Sequence, residues 1–566
     1  MTDIRRSILW VIFGFSMILL WDKWQLHNGR PATFFPQGQS QQAAPAASSA
    51  KGDAAVPSAS ALGTGAAALP VAGAAEAATP KVTHVVSTDV LKLTFDSEGG
   101  SLVGADLLQH LAATHSSKNQ DVKPLTLLTQ TPNHTYVAQT GLIGSGALPT
   151  HKTPMKLVST DTALKDGQDS LVVRFESDVV GGTKLVKTYT LQRGSYEVAV
   201  KHEVVNTGTA DVAPQLYMQL VRDGSKGENE TPFYSTFTGP AIYTQAAKYQ
   251  KVEFAQIEGN KADFIKVASD GYVAMVQHYF ASAWLLGDGI EREHFARKVD
   301  TNLYSAGMIT PVGTVTPGQS KAVESRLFVG PQAEKVLEKV APGLELVKDY
   351  GWLTMLAKPL YWLLEKIHSF VSNWGWAIVL LVVLLKASFY WLNAMAYRSM
   401  AKMKAINPRI QEMRERMKDN PQQMQMEMMR IYKEEKVNPM GGCFPIMIQI
   451  PVFIALYWVL LSSVEMRNAP WIGWIHDLSA PDPFFILPLL MTLSSLLQTA
   501  LNPAPPDPMQ AKMMWFMPLI FSVMFFFFPA GLVLYWLTNN ILSIAQQWII
   551  NTRMGVPPQF NLPKFK

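Results

Sequence analysis

Two patterns of apolar and polar residues divide the chain. Between Lys81 and about Pro342 the two alternate with period two, whereas beyond Trp374 long apolar runs flank one charged, methionine-rich stretch. Alternation marks a strand with one buried face, because successive side chains point to opposite sides. It is clearest in Tyr196-Glu-Val-Ala-Val-Lys-His-Glu-Val204, where Tyr196, Val198, Val200, His202 and Val204 share a face. Residues 183–191 are predicted as a strand, 192–195 as a turn and 196–205 as the hairpin partner. Further strands are expected at 90–95, 171–175, 215–221 and 272–277. Many short strands separated by turn residues predict a large antiparallel β-sandwich over 81–342. His202 and His278 lack metal-ligand spacing and are expected on solvated faces.

The apolar runs are long enough to be spans. Residues 374–397 exceed the roughly twenty residues needed to cross hydrocarbon as a helix, with Trp374, Trp376, Tyr390 and Trp391 as interfacial anchors. Lys386 is predicted halfway along, at a cost of about 2.5 to 3.5 kcal/mol. A lysine stem is shorter than the roughly 15 Å of helix to either end, which favours a wet, protein-lined cavity over snorkelling. With an N-terminal apolar run at 8–21, further runs at 443–464, 484–501, 513–528 and 530–550 give six transmembrane helices. Among their polar residues, Gln449, Asn539, Asn540, Ser494 and Gln498 are candidate groove lining beside Lys386. Ordinary hydrogen bonding between packed helices is the competing role.

The remaining segments have simpler patterns. Residues 1–25 are expected to be an uncleaved anchor, and 26–80 an Ala/Ser/Pro-rich flexible linker that cannot bury a core. Over 343–373, Leu356, Leu360, Leu363, Ile367 and Phe370 form the stripe of an amphipathic interfacial helix, with Pro359 expected to kink it. In 398–440, Met403, Ile406, Ile410, Met413 and Met417 recur at helical spacing, Asp419-Asn420-Pro421 interrupts, and Met424, Met428 and Ile431 resume. That pattern predicts a helical hairpin. Its methionines suit both a seam and an adaptable docking surface, and Lys402, Lys404, Arg409, Arg414 and Arg416 supply a basic docking face. Ten Lys and Arg between Arg398 and Lys436 place it in the cytoplasm by the positive-inside rule, together with both termini and a short tail at 553–566.

Net charge is only +5, and its concentration in the cytoplasmic segments argues against direct nucleic-acid recognition. The single cysteine, Cys443, excludes an intrachain disulfide. No Gly-rich phosphate loop with a following Lys-Ser/Thr occurs, so nucleotide hydrolysis is not expected, nor is a cofactor or metal.

Four motifs carry a resemblance: Ser399-Met-Ala-Lys-Met403, Lys436-Val-Asn-Pro-Met-Gly-Gly-Cys-Phe-Pro445, Ile475-His-Asp-Leu-Ser479 and Phe528-Pro-Ala-Gly-Leu-Val-Leu-Tyr535. Across essentially its whole length the chain resembles the YidC/Oxa/Alb family of membrane protein insertases in its Gram-negative bacterial form. The resemblance implies a polytopic α-helical membrane protein of the inner membrane: a five-helix insertase core, a large periplasmic antiparallel β-sandwich and a cytoplasmic helical hairpin. It implies a hydrophilic groove open to cytoplasm and lipid but closed to the outside, and no catalysis. Implied partners are nascent membrane-protein substrates, the Sec translocon, the ribosome and membrane lipids. By the same analogy Phe453, Met491, Phe525, Tyr535 and Trp536 would form an apolar slide into lipid. Lys386 stands where the family usually has arginine, which keeps the charge but loses the planar fork. The rival readings are a secondary transporter, which calls for inverted repeats, and a membrane-tethered envelope enzyme, which calls for a convergent acid–base pair.

Overall fold

The computed structural model describes residues 56–58, 82–112, 123–225, 236–417, 420–435, 444–502, 508–555 and 560. The expected anchor at 1–25, the linker apart from 56–58 and nearly all of the tail lie outside the described residues. So do Lys436 to Cys443 of the second motif.

Two nine-stranded antiparallel sheets form the sandwich. The first runs in the order β1 (Thr83–Ser87), β2 (Leu91–Asp96), β3 (Ser101–Leu111), β4 (Pro124–Gln130), β5 (Thr135–Ile143), β10 (Gln215–Asp223), β17 (Leu303–Pro311), β16 (Arg292–Asp300) and β13 (Val267–Ala268). The second runs β12 (Lys248–Lys251), β11 (Gly239–Thr244), β14 (Tyr272–Val276), β15 (Phe280–Leu286), β18 (Ser320–Pro331), β9 (Glu197–Asn206), β8 (Thr183–Gln192), β7 (Ser170–Ser177) and β6 (Met155–Leu157).

The predicted hairpin is β8–β9, with Leu191 opposite Val198 and Thr183 opposite Asn206. Gly194 turns the chain at φ 70°, a left-handed conformation that costs glycine little. Along β9, Val198, Val200, His202 and Val204 are buried, while Ala199 and Lys201 face solvent. Between the sheets lie large apolar side chains such as Phe95, Phe175 and Tyr189, whose rings meet at 4.8 to 6.1 Å. Trp284 crosses the layer and donates its indole N–H to the Gln219 carbonyl at 3.2 Å.

The two histidines do not sit on solvated faces. His202 is fully buried, with Nε2 3.0 Å from Thr140 Oγ1. Opposite it on β8, the fully buried Lys187 donates to the carbonyls of Gly99 and Thr140 at 2.6 and 2.8 Å. Burial pushes Lys187 down to about 7; burial and the nearby lysine push His202 down to about 3. His278 is half-buried, with Nε2 2.8 Å from the Leu461 carbonyl, and burial lowers it to about 4. Alternation determines which face a residue occupies, but not whether a polar residue on that face finds partners inside.

Helices α1 (Phe254–Glu258) and α2 (Glu334–Val340) belong to the sandwich. The helical region comprises α3 (Thr354–Val371), α4 (Trp374–Ser388), α5 (Tyr390–Arg416), α6 (Pro421–Glu434), α7 (Phe444–Ser462), α8 (Ile486–Leu501), α9 (Pro508–Phe525) and α10 (Ala530–Arg553). On α3, Leu360 and Ile367 are buried, whereas Phe370, placed on the same stripe by spacing, is 87% exposed. The sandwich and the residues that follow it both hold the segment after α7. Lys348, whose side chain is 0% exposed, lies 3.4 Å from Glu465, and Tyr361 donates to that carboxylate at 2.7 Å. Arg467 donates to the carbonyls of Leu111 and Ala112.

The span expected at 374–397 is not one helix. It breaks at Phe389, and α4 and the start of α5 meet at 67°. Gln546 of α10 donates to the Lys386 carbonyl at 3.2 Å, taking an acceptor of the kind a broken ladder leaves open. Lys386 therefore occupies the last turn of α4 instead of mid-helix, where the negative end of the helix favours a cation. Among the described residues no single helix is both long and apolar enough to cross a membrane; the bent pair passes together.

Two of the quoted motifs touch. The amides of Ala530 and Gly531 donate to the carbonyls of Ala480 and Leu478 at 2.7 and 2.9 Å. A Cβ on Gly531 would lie 3.1 Å from the Leu478 carbonyl, so a side chain there would push the helix start away. That contact seats α10, which packs against α8, α4, α5 and α7.

Candidate functional site

A cavity of about 430 Å3, including the solvent at its mouth, opens between α4, α5, α7 and α10. Lys386, Asn393, Gln449 and Asn539 supply its polar lining, and Val382, Leu385, Phe389, Leu392, Val452 and Tyr535 the rest. Lys386 is 6% exposed and donates from Nζ to Ser543 Oγ at 2.7 Å. Ser543 Oγ in turn donates to the Asn539 carbonyl at 2.7 Å, and Gln449 Nε2 donates to Asn539 Oδ1 at 3.0 Å. Among the described residues no carboxylate pairs with Lys386. The hollow therefore presents one cation and three amide side chains among apolar neighbours.

Lys386, Gln449 and Asn539 thus come together, while Asn540 and Ser494 lie elsewhere. Asn540 donates to Ser494 and Ser495 at 3.1 and 2.8 Å, inside the seam between α10 and α8. Gln498 is half-buried on α8. Three cavity partners escaped the sequence reading: Ser543, Gln546 and Asn393, which donates to Gln546 Oε1 at 3.3 Å. Helical spacing carried the signal, because Asn539, Ser543 and Gln546 fall on one stripe of α10.

Of the slide candidates, Met491, Phe525 and Tyr535 are buried in the helical core, and Phe453 and Trp536 are partly buried. Phe453 meets Trp536 at 4.3 Å and Tyr535 at 5.7 Å, and Trp536 meets Phe525 at 4.8 Å. In the hairpin segment Met403, Met413, Met417, Met424 and Met428 join Ile406, Ile410 and Ile431 in one cluster, while Met426 and Met429 are exposed. Arg409 pairs with Glu434 at the end of α6 and with Glu435 just beyond it, at 3.1 and 2.8 Å. Lys402 and Arg416 are exposed, Arg414 is half-buried, and the Lys404 side chain lies outside the described residues.

Large apolar side chains are exposed in number on the helical region: Leu380, Val383 and Leu384 on α4, Leu489, Leu490, Leu493 and Leu497 on α8, and Phe516, Ile520, Phe521 and Val523 on α9. So much exposed apolar surface around a polar hollow belongs in lipid, and defines a membrane protein carrying a β-sandwich. Comparison with known proteins narrows this class. Residues 83–363 match the YidC periplasmic domain model, and 366–556 the 60Kd inner membrane protein model. The membrane protein insertases YidC of Cupriavidus metallidurans and Burkholderia multivorans are each 54% identical to this chain, over 98% of it and over 98% and 99% of their own lengths. A crystal structure of an active YidC insertase with its first transmembrane domain resolved aligns over 83% of this chain and 92% of that one, at 18% identity and a TM-score of 0.37.

The chain belongs to the YidC family of membrane protein insertases. It is a membrane protein insertase of the bacterial inner membrane, not an enzyme, and carries its sandwich in the periplasm.

Proposed function

We propose that the cavity at Lys386 is the groove in which a client's polar segment shelters on its way across the membrane. One observation carries this reading: a cation with no carboxylate partner among the described residues, set in a hollow where three amide side chains stand among apolar ones. Acidic residues of an entering segment meet Lys386, and the membrane potential, positive outside, draws each one outward with about 2.3 kcal/mol per 100 mV. Burial of the client's apolar segment in lipid completes the transfer. Tyr535 borders both the groove and the aromatic group of Phe453, Trp536 and Phe525, where that segment leaves. Met491 and Phe525 are buried, so they reach a client only once neighbouring helices part.

Six spans fit this reading: residues 8–21, α4 with the start of α5, and α7 to α10. The remainder of α5 and α6 then form the cytoplasmic hairpin, whose basic and methionine surface meets ribosome and client. The Sec translocon and lipids complete the set of partners. The transporter and envelope-enzyme readings are not favoured, because the full-length relatives carry the insertase name. A photo-crosslinking residue at Leu392 or Val452 should capture a stalled nascent membrane protein. Equal yield from the half-exposed Val172 of the sandwich would overturn the assignment.

A further inference from the structure

The outer face of a sandwich sheet is ordinarily polar. Here Ile143, Tyr217 and Ile309, on the adjacent strands β5, β10 and β17, are 8%, 0% and 4% exposed and form a cluster separate from the core between the sheets. Phe295 of β16 flanks them. Pairing across the sheet sets Gly141 opposite Tyr217 and Gly307 opposite Phe295. Both glycines leave room for the rings: a Cβ on Gly141 would fall 2.5 Å from the Tyr217 hydroxyl, and one on Gly307 2.7 Å from the Phe295 ring. Beside the apolar patch on the same face, Gln219 donates to Gln139 at 2.9 Å and accepts from Ser305 at 2.9 Å.

A short piece of the chain far from these strands in sequence lies on this patch. Val56 packs against the cluster, Arg297 of β16 donates to the Val56 carbonyl at 3.1 Å, and Pro57 is buried. The chemistry matches: the chain bends at Val56, proline brings an apolar ring and no N–H, and the preceding carbonyl takes the donor.

We propose that Val56-Pro57 is an intramolecular latch. It docks the Ala/Ser/Gly/Pro-rich connection onto the outer face of the first sheet and so shortens the reach between the N-terminal anchor and the periplasmic domain. With the reach its composition gives a flexible chain, about 5 to 6 Å times the square root of its length, latching would cut the distance from roughly 40 Å to roughly 30 Å. The sandwich is thereby kept near the anchor.

The test uses the full-length protein in liposomes, with Cys443→Ser as background. Ile309→Cys should react slowly with a polar maleimide, and adding Val56→Asp should speed the reaction at least ten-fold. Val172→Cys, at a site 49% exposed on the other sheet, should be unaffected. Val56 lies outside the strands, so its substitution leaves the sandwich fold in place. Spin labels at Trp21→Cys and Val172→Cys should then report a mean distance longer by roughly 10 Å, with a broader distribution, in the Val56→Asp protein. Equal labelling of Ile309→Cys with and without Val56→Asp, or an unchanged distance distribution, overturns the proposal.

Discussion

Replacing Lys386 with alanine isolates the charge of the groove from its scaffold. Ser543 donates to the Asn539 carbonyl whether or not the lysine is present, and Gln449 still holds Asn539, so the polar lining survives. Loss of one charge-assisted hydrogen bond costs about 1.5 to 3 kcal/mol, largely offset because a nearly buried ammonium no longer has to be desolvated. Client capture changes more. A carboxylate brought to about 4 Å of the ammonium gains roughly 1 kcal/mol in bulk water and about 4 kcal/mol at an effective dielectric of about 20. The mixed polar and apolar lining lies between those limits. At about 1.4 kcal/mol per ten-fold, capture of a client with an acidic leading segment should fall by roughly 5-fold to several hundred-fold. Lys386→Met keeps stem length without charge and should match alanine, whereas Lys386→Arg should support insertion. The assay is protease accessibility of the client's outer segment in cells depleted of the native protein. Client pairs differing only in leader acidity separate capture from general damage. Wild-type insertion of the acidic client by the alanine and methionine variants would refute the charge-capture step.

Cysteines at Gln449 and Asn539 should react with a polar thiol reagent added from the cytoplasm, whereas one at Asn540 should stay inert; equal inertness at all three would count against a wet groove. At the junction, Glu465→Ala leaves the buried Lys348 without its partner, a loss of roughly 3 to 5 kcal/mol for broken buried pairs. Its Tm in detergent should drop by several degrees below that of the wild-type protein, and an unchanged Tm would show the pair to be dispensable. The sandwich should weaken in acid. His202 and His278 have folded values of about 3 and about 4, below the unfolded 6.5, so the stability they contribute is present above about 6.5 and lost as pH falls toward those values. Lys187, at about 7 against 10.5, loses its share between about 10.5 and 7 and adds little further below neutrality. Urea midpoints measured from pH 7 to 4 should decline less steeply for His202→Gln than for the wild type, and parallel slopes would remove His202 as a cause.

Local periodicity was enough for the strand alternation of β9, the turn at Gly194 and the helical spacing of the Met403 to Ile431 cluster. Covalent geometry sets those repeats, so they are present in any stretch of chain that adopts the element. The presence of a cation in an apolar helix was equally legible at Lys386. Its place was not, because the break at Phe389 lies beside a carbonyl taken by Gln546, distant in sequence. Asn539 and Asn540 make the same point within one helix: adjacent residues diverge by about 100° around the axis, so one faces the cavity and the other α8. His202, expected in solvent, found Thr140 on the opposing sheet. Val56, in a stretch whose composition argues only against a core, found the cluster of Ile143, Tyr217 and Ile309. A sequence carries the period and polarity of each element by itself. Which distant groups meet depends on how the elements pack, and that was decided only when helices and sheets closed on one another.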